Sequence, residues 1–127
     1  MNALIDTCDF LWFVSDDPKL PLRYRQAIMD PDNAVFLSAV STAEIAIKVA
    51  LKKLVLPEPP DPYIRRTRIR HGINSLPLTE EATLLLAELP PHHKDPFDRM
   101  LICQALVHSM TLISSDPKIH KYNLTLL

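Results

Sequence analysis

The sharpest change of residue pattern in this chain lies in the stretch Ala34-Val-Phe-Leu-Ser-Ala-Val-Ser-Thr-Ala-Glu-Ile-Ala-Ile-Lys48. It begins with four apolar residues that are typical of a buried strand. It continues with apolar residues at helical spacing, so the periodicity changes from strand to helix within a few residues. A strand that passes directly into a helix is typical of parallel sheets, whose strands are joined by crossover helices. The stretch therefore predicts an α/β fold.

The same alternation continues on both sides of this stretch. Strands are predicted at residues 3–5, 34–37, 73–78 and 111–114, with residues 123–127 as a last edge strand. Helices are predicted at residues 10–14, 21–29, 41–51, 61–72, 79–89 and 95–106. Together these segments predict a single α/β domain over residues 1–127, built on a mostly parallel sheet.

Local signals predict where several helices begin and end. Ser41 and Glu44 have the spacing of a capping box, in which the glutamate bonds back to the amide of the N-cap residue. N-caps are predicted at three further positions: Asp61, Thr79 and Asp95. Gly72 is predicted to end the helix that precedes it, because glycine readily adopts the left-handed conformation that follows many helices.

Composition limits the class of protein. The chain has 127 residues, 47% of them hydrophobic, which is enough for one core of ordinary depth. Its only glycine is Gly72, whereas P-loop ATPases and dinucleotide-binding dehydrogenases need several glycines to expose backbone amides to phosphate. Those two classes are excluded. The net charge of −1 gives no global reason to expect nucleic acid binding.

Nothing in the sequence predicts export or insertion into a membrane. The N-terminus has no basic segment before an apolar one, as a signal peptide would. The longest uncharged stretch, residues 100–115, is too short to span a bilayer. Cys8 and Cys103 lie far apart in apolar surroundings and are expected to be buried, reduced thiols. We expect an intracellular, cytoplasmic protein.

Four carboxylates occur where predicted strands end or the following helices begin. Asp6 and Asp116 follow strands, and Glu44 and Asp98 lie in predicted first turns of helices. Parallel strands bring such positions to one edge of the sheet, where open α/β folds bind ligands. Converging carboxylates repel one another unless a divalent cation is present, so the set predicts a site for Mg²⁺ or Mn²⁺. Such a site best serves phosphodiester hydrolysis.

Most of these residues also have a purely structural interpretation. Glu44 would complete the capping box, Asp98 would complement the dipole of its helix, and Asp116 would form a turn. Asp6 has no such explanation, because a carboxylate directly after a buried strand gains little without a partner. A shared metal site accounts for all four positions at once.

These residues lie in segments that resemble PIN-domain proteins of the VapC toxin type, the ribonuclease partners of toxin–antitoxin pairs. The most specific match is the segment His92-His-Lys-Asp-Pro-Phe-Asp-Arg-Met-Leu-Ile102. Shorter matches follow the family order at residues 4–7, 11–12, 38–48, 76–79 and 112–116. The resemblance thus spans nearly the whole chain.

The resemblance implies a three-layer α/β/α sandwich around a parallel sheet of four or five strands. It implies a ligand set for Mg²⁺ or Mn²⁺ that consists of Asp6, Glu44, Asp98 and Asp116. Asp95 is expected to cap its helix and, secondarily, to support the metal. Ser115 falls where the family often has a hydroxyl that supports the site. Asp9 departs from the family pattern and adds a carboxylate near the entrance.

The activity that the resemblance implies is that of an endoribonuclease. An activated water would attack an RNA phosphodiester in line and leave 5′-phosphate and 3′-hydroxyl ends. Asp6, Asp98 and Asp116 would be the principal ligands, with Glu44 as a further ligand or as the residue that orients the water. The implied partners are RNA, a cognate antitoxin whose C-terminal segment crosses the active site, and a second copy of the chain in a homodimer.

Basic residues near the matched segments are candidate RNA contacts. Without the four site carboxylates the chain has 14 basic and 11 acidic residues, so the remaining surface is mildly basic. Lys94 and Arg99 are close enough in sequence to the site to meet a phosphate. The arginine run at residues 65–70 is either a solvated helix face or an RNA contact. His92 and His93 are interpreted as polar loop residues.

Two other functions are compatible with the same residues. A non-catalytic RNA-binding or scaffold domain would keep the fold and use its metal site structurally. An aspartyl-type phosphohydrolase would also place carboxylates at the end of a strand, but it usually needs an Asp-x-Asp motif. Here Asp6 is followed by Asp9, which is one position too far. Metal-dependent cleavage of RNA would separate the ribonuclease from both.

Overall fold

The sheet is fully parallel, where the sequence predicts a mostly parallel one. The structure is a computed structural model and describes residues 1–127. Its four strands are β1 (Asn2–Ile5), β2 (Ala34–Ser38), β3 (Asn74–Leu76) and β4 (Thr111–Ile113), in the order β3-β2-β1-β4. The C-terminal tail forms only a single bridge, between Leu126 and Leu112. The prediction of an edge strand at residues 123–127 was therefore wrong, because the tail hydrogen-bonds to β4 only at Leu112 and leaves its other residues without strand partners.

Helices occupy every connection between the strands. They are α1 (Thr7–Val14), α2 (Leu22–Met29), α3 (Ala39–Ala50), α4 (Pro60–Arg70), α5 (Glu80–Leu84) and α6 (Pro96–Val107). The helix predicted at residues 79–89 is divided, since α5 continues as a short 3-10 helix over Leu85–Glu88. No helix in the chain is long and apolar enough to cross a membrane.

The core has two layers, one on each face of the sheet, because side chains along a strand point alternately to the two faces. On β1, Ala3 and Ile5 belong to a cluster of 13 buried residues, whereas Leu4 between them belongs to a second cluster of 12. Successive strand residues point to opposite faces, so a strand buried on both sides must be apolar throughout. The predicted three-layer α/β/α sandwich is confirmed.

The start of α3 differs from the predicted capping box. The N-cap is Ser38, whose hydroxyl accepts a hydrogen bond from the amide of Val40 at 2.9 Å. The N-cap lies three residues earlier than expected because β2 runs into the helix without a loop. Glu44 consequently lies in the second turn, and Ser41 instead accepts a hydrogen bond from the Thr7 hydroxyl at 2.8 Å.

Of the other three predicted N-caps, two are confirmed and one is wrong. Thr79 and Asp95 cap α5 and α6 as predicted, each accepting from amides of the first turn. Asp61 is not an N-cap, because Pro59 takes that position and Pro60 begins the helix. The Asp61 carboxylate instead pairs with Arg65 one turn later.

Four helices end with the same left-handed turn, although the chain has one glycine. After α1, α3, α4 and α6 the turn residues are Asp16, Lys52, Gly72 and Ser109, with φ between 53° and 66°. After α4, for example, the amide of Ile73 donates to the carbonyl of Arg68 at 2.9 Å and closes the helix. Gly72 ends its helix as predicted. The three other residues accept a strain of about 1 kcal/mol each relative to glycine.

Candidate metal centre

The candidate site is a cleft at the carboxyl edge of the sheet. The strand order reverses direction at β1, which pairs with both β2 and β4, and ligands of open α/β sheets bind at such a point. The cleft has a volume of about 320 Å³. Its lining includes every residue predicted to hold or support a metal: Asp6, Glu44, Asp95, Asp98, Ser115 and Asp116.

Asp6 lies at the junction of β1 and α1 and is 5% exposed. Its amide donates to the carbonyl of Ile113 on β4 at 2.9 Å, and its carboxylate accepts from the Ser114 hydroxyl at 2.7 Å. Burial is the main cause that raises its pKa to about 6. Asp6 is thus a desolvated carboxyl group that gains from a nearby cation.

Asp98 has the most perturbed acidity in the cleft. It lies in the first turn of α6, where the helix dipole favours a negative charge. Burial and then the charges of Asp6 and Asp95 nevertheless raise its pKa to about 8. The cleft therefore gathers more negative charge than its own positive groups offset.

Glu44 supplies the observation that tests whether a cation fits. Its Oε2 accepts from the ammonium of Lys48 at 2.6 Å, but its Oε1 is buried and has no hydrogen-bond partner in the protein. A buried carboxylate oxygen without a partner costs free energy unless something pairs with it. Its position in a cleft rich in carboxylate oxygens fits a hard divalent cation.

His93 belongs to the site, although the sequence indicated a polar loop residue. Its Nε2 lies 2.8 Å from Oδ2 of Asp116 and 3.0 Å from Oδ2 of Asp98, and its side chain is buried. The neighbouring His92 is exposed and stacks edge-on against Tyr122. The only sequence feature that could have indicated this role is the position of His93 two residues before the N-cap of α6. His92 lies beside it in the same loop, so this feature does not show which histidine belongs to the site.

The hydroxyl that donates to Asp6 is that of Ser114. Ser115 instead binds Asp9, to which its hydroxyl donates at 2.6 Å and its amide at 3.0 Å. Asp9 is 1% exposed, and burial is the main cause that raises its pKa. These bonds attach α1 to the loop that carries Asp116.

Asp95 acts as the cap that the sequence predicts. Its Oδ1 accepts from the amides of Phe97 and Asp98 at 2.8 and 3.2 Å. This holds the first turn of α6 in place, and with it the Asp98 side chain. Asp95 also lines the cleft, so its cap position does not remove it from the site.

Arg99 is engaged by backbone carbonyls within the protein. Its guanidinium donates to the carbonyls of Leu86, Leu89, Pro90 and His93, at distances from 3.0 to 3.5 Å. It therefore stabilises the loop before α6 from within, and a role in RNA contact stays a prediction for this residue. Lys94, by contrast, is exposed.

The arginine run on α4 is largely engaged within the protein. Arg65 pairs with Asp61, and Arg66 pairs with Glu58. Arg68 donates to the carbonyl of Ile73 at 3.0 Å. These contacts favour the interpretation of a solvated helix face. A larger groove of about 580 Å³ lies beside this helix, but its only carboxylate is Asp61.

Cys103 is buried as predicted, whereas Cys8 is exposed. Cys8 lies in the first turn of α1 at the rim of the cleft. The residue as a whole is exposed, but partial desolvation of its thiol at the cleft and then the charge of Asp6 raise the pKa of the thiol to about 11. Its thiol therefore stays protonated near neutral pH and is a poor nucleophile.

Comparison with known families identifies the fold. The profile of the PIN domain matches residues 3–123. The chain belongs to the PIN-domain family. Proteins of this family are nucleases, which agrees with a cleft that gathers carboxylates at the edge of a parallel sheet. No curated protein matches the chain significantly.

Solved structures share this PIN-domain fold along their whole length. VapBC2 from Rickettsia felis, bound to a DNA fragment from its promoter, has a TM-score of 0.74 at 14% identity and covers 100% of this chain and 98% of its own. VapBC-1 from nontypeable Haemophilus influenzae has a TM-score of 0.68 at 20% identity, with coverage of 100% and 97%. A toxin–antitoxin complex from Klebsiella pneumoniae has a TM-score of 0.61 at 18% identity, with coverage of 98% and 95%. At these identities the likeness shows the fold.

The raised pKa of Asp98 predicts that the cation-free PIN domain loses stability as pH rises. Its ordinary pKa of 3.8 applies to the unfolded chain, and its folded pKa is about 8. The folded state therefore binds more protons within this window, and the free energy of unfolding falls as pH increases through it. Asp98→Asn removes this pH-dependent contribution to the free energy of unfolding and keeps the shape of the side chain.

Thermal unfolding in EDTA at about pH 5 and about pH 8 measures the effect. Asp98→Asn is expected to stabilise the protein at the higher pH by on the order of 1 kcal/mol, about 3–5 °C for a chain of this size. Glu88→Gln, a change at an exposed carboxylate, is the control. An Asp98→Asn protein with the same pH dependence as the wild type would contradict the prediction.

Proposed function

We propose that this PIN domain is a metal-dependent endoribonuclease that acts as the toxin of a toxin–antitoxin pair. The observation that carries the proposal is the orphaned, buried Oε1 of Glu44 in a cleft where Asp6 and Asp98 have raised pKa values. These groups are costly to bring together without a cation. They are well suited to hold one.

The residues that would hold Mg²⁺ or Mn²⁺ are Asp6, Asp98 and Asp116, with Glu44 as a further ligand or as the residue that orients water. All are carboxylates, the ligand type that hard divalent cations prefer. When bound, the cation would offset charge on the phosphoryl oxygens and lower the pKa of the attacking water. The remaining chemistry belongs to the side chains themselves.

Glu44 is the residue best suited to receive a proton from that water. Its Oε1 has no partner in the protein, while Lys48 holds its Oε2 and fixes the carboxylate. The oxygen of water would bond to phosphorus, the bond from phosphorus to O3′ would break, and the departing O3′ would take up a proton from solvent, which balances the proton that Glu44 receives. The products would be a 5′-phosphate and a 3′-hydroxyl end. Asp95 would act indirectly, by fixing the turn that carries Asp98.

The partners proposed for this chain follow from its structural relatives. The structure from Klebsiella pneumoniae is described as a toxin–antitoxin complex, and VapBC2 as bound to DNA from its promoter. By analogy, the chain would bind a cognate antitoxin, and the homodimer is proposed from the resemblance to the family. RNA is the proposed substrate, with Lys94 as a contact to its phosphates, and the cytoplasm is the proposed location.

Substitution of the site carboxylates tests the nuclease. Asp6→Asn and Glu44→Gln are each expected to lower the rate of cleavage of a mixed RNA pool by at least about 100-fold, because they remove a ligand and a proton acceptor. EDTA is expected to abolish cleavage by the wild type, and Mn²⁺ to restore it. Glu88→Gln is the matched control.

The outcomes separate the proposed function from its alternatives. Wild-type protein that binds RNA tightly but never cleaves it would favour the scaffold. Release of phosphate from small phosphomonoesters, without RNA cleavage, would favour the aspartyl-type phosphohydrolase. Asp6→Asn protein that cleaves at the wild-type rate would overturn the site assignment.

Lys94→Ala tests the contact to RNA. Loss of one phosphate contact is expected to weaken binding about two- to fivefold, similarly for all RNA sequences. It is also expected to reduce the slope of log affinity against log salt by about one. Filter binding of the catalytically impaired Asp6→Asn protein measures both. Lys53→Ala is the control, since Lys53 follows the far end of α3; equal slopes for the two variants would remove Lys94 from the interface.

Expression in a bacterial host tests the role as a toxin. Induction of the wild type is expected to arrest growth, whereas induction of Asp6→Asn is not. Co-expression of a short neighbouring reading frame that encodes a DNA-binding protein is expected to restore growth and to yield a copurifying complex. Light scattering is expected to show a dimer of the toxin. Normal growth during accumulation of active wild-type nuclease would contradict the toxin role.

A further inference from the structure

The ring of His93 is fixed at both of its nitrogens. Its Nδ1 lies 3.1 Å from the backbone nitrogen of Asp95 in hydrogen-bond geometry, and its Nε2 faces the carboxylates of Asp98 and Asp116. One ring nitrogen of His93 and one carboxylate oxygen each of Asp98 and Asp116 lie within 4.8 Å of one another. This spacing alone is compatible with two roles, a third metal ligand or a donor that holds two carboxylates.

The bond at Nδ1 separates these roles. A backbone amide can only donate, so Nδ1 must be the acceptor and carries no proton. In a neutral imidazole the proton then resides on Nε2. A protonated Nε2 has no lone pair for a cation, but it donates readily to carboxylate oxygens at 2.8 and 3.0 Å.

Moving the proton from Nε2 to Nδ1 would free Nε2 to bind a metal, but the surroundings oppose it. The Nδ1–H would then point at the N–H of Asp95. That amide cannot turn away, because the Asp95 side chain caps α6 through Phe97 and Asp98. The local backbone thus selects the tautomer.

The backbone of His93 is held as firmly as its ring. Its amide donates to the hydroxyl of Tyr122 at 2.9 Å, and its carbonyl accepts from Arg99 at 3.1 Å. The Tyr122 hydroxyl in turn donates to the carbonyl of Pro90 at 2.6 Å. The imidazole is therefore presented to the carboxylates from a clamped loop.

We propose that His93 is a positioning residue that stays outside the ligand set and donates from Nε2 to Asp98 and Asp116. It draws together two carboxylates that would otherwise repel, and it leaves their remaining lone pairs to the cation. The inference rests on the proposed function, because it assigns the cation to those carboxylates. Donors of this kind orient metal ligands, and their loss typically lowers metal affinity about 10- to 100-fold.

A matched pair of substitutions tests the donor. The amide nitrogen of glutamine can occupy the place of Nε2, whereas the shorter asparagine reaches only the place of Nδ1. His93→Asn is expected to weaken Mn²⁺ binding about 10- to 100-fold, and His93→Gln to retain affinity within about threefold. Calorimetric titration with Mn²⁺ measures both, and His92→Gln is the control. Equal losses in the two His93 variants would overturn the inference.

Nuclear magnetic resonance of the imidazole nitrogens gives a second measurement that needs no change to the site. In wild-type protein the His93 signals, assigned by their absence from His93→Gln, are expected to show a proton on Nε2 and none on Nδ1. Diamagnetic Mg²⁺ is expected to leave this pattern unchanged. A proton on Nδ1, or loss of the Nε2 proton when Mg²⁺ binds, would overturn the inference even where His93→Asn does not fold.

The results distinguish this inference from the proposed function. Wild-type protein that binds no Mn²⁺ and cleaves no RNA would overturn both. Wild-type protein that binds Mn²⁺ and cleaves RNA, with equal defects in His93→Gln and His93→Asn, would overturn only the role of His93.

Discussion

Repulsion between carboxylates in one small cleft is the constraint on which the rest of this structure depends. The cleft is lined by Asp6, Asp9, Glu44, Asp95, Asp98 and Asp116, against the single ammonium of Lys48. Burial removes the water that would screen these charges, and the pKa values of about 6 for Asp6 and about 8 for Asp98 express that cost. A divalent cation would relieve it, so the feature that destabilises the cation-free protein is also the one suited to bind a metal.

The fold opposes this repulsion by giving each carboxylate its own donor. Ser114 donates a hydrogen bond to Asp6, Ser115 donates to Asp9, and Lys48 donates to Glu44. The first amides of α6 donate to Asp95, and His93 faces both Asp98 and Asp116. These bonds connect β1, α1, α3, α6 and the loop after β4. Two apolar layers on either side of the sheet supply the burial that holds these elements together. The carboxylates are thus positioned before any cation arrives.

Predictions from the sequence held where the decisive contacts are local. Thr79 and Asp95 cap their helices because a cap depends on amides two or three residues away, and Gly72 ends α4 for the same reason. The capping box at Ser41 failed because β2 continues directly into α3 and moves the helix start to Ser38. The internal hydrogen bonds of Arg99 were not predicted, because its acceptors are carbonyls that the loop before α6 folds around it.

The sequence by itself determined the parallel α/β fold and the identity of the four acidic candidates, because periodicity and the position of a residue after a strand are local properties. Their use as cation ligands stays a prediction. Only the tertiary structure decided which neutral side chains lie within hydrogen-bond distance of these carboxylates. Ser114 meets Asp6 across 108 residues and His93 meets Asp116 across 23. The first contact exists because β4 pairs with β1, and the second because the loop before α6 folds back towards the end of β4. Neither contact can be inferred from the spacing of these residues in the sequence.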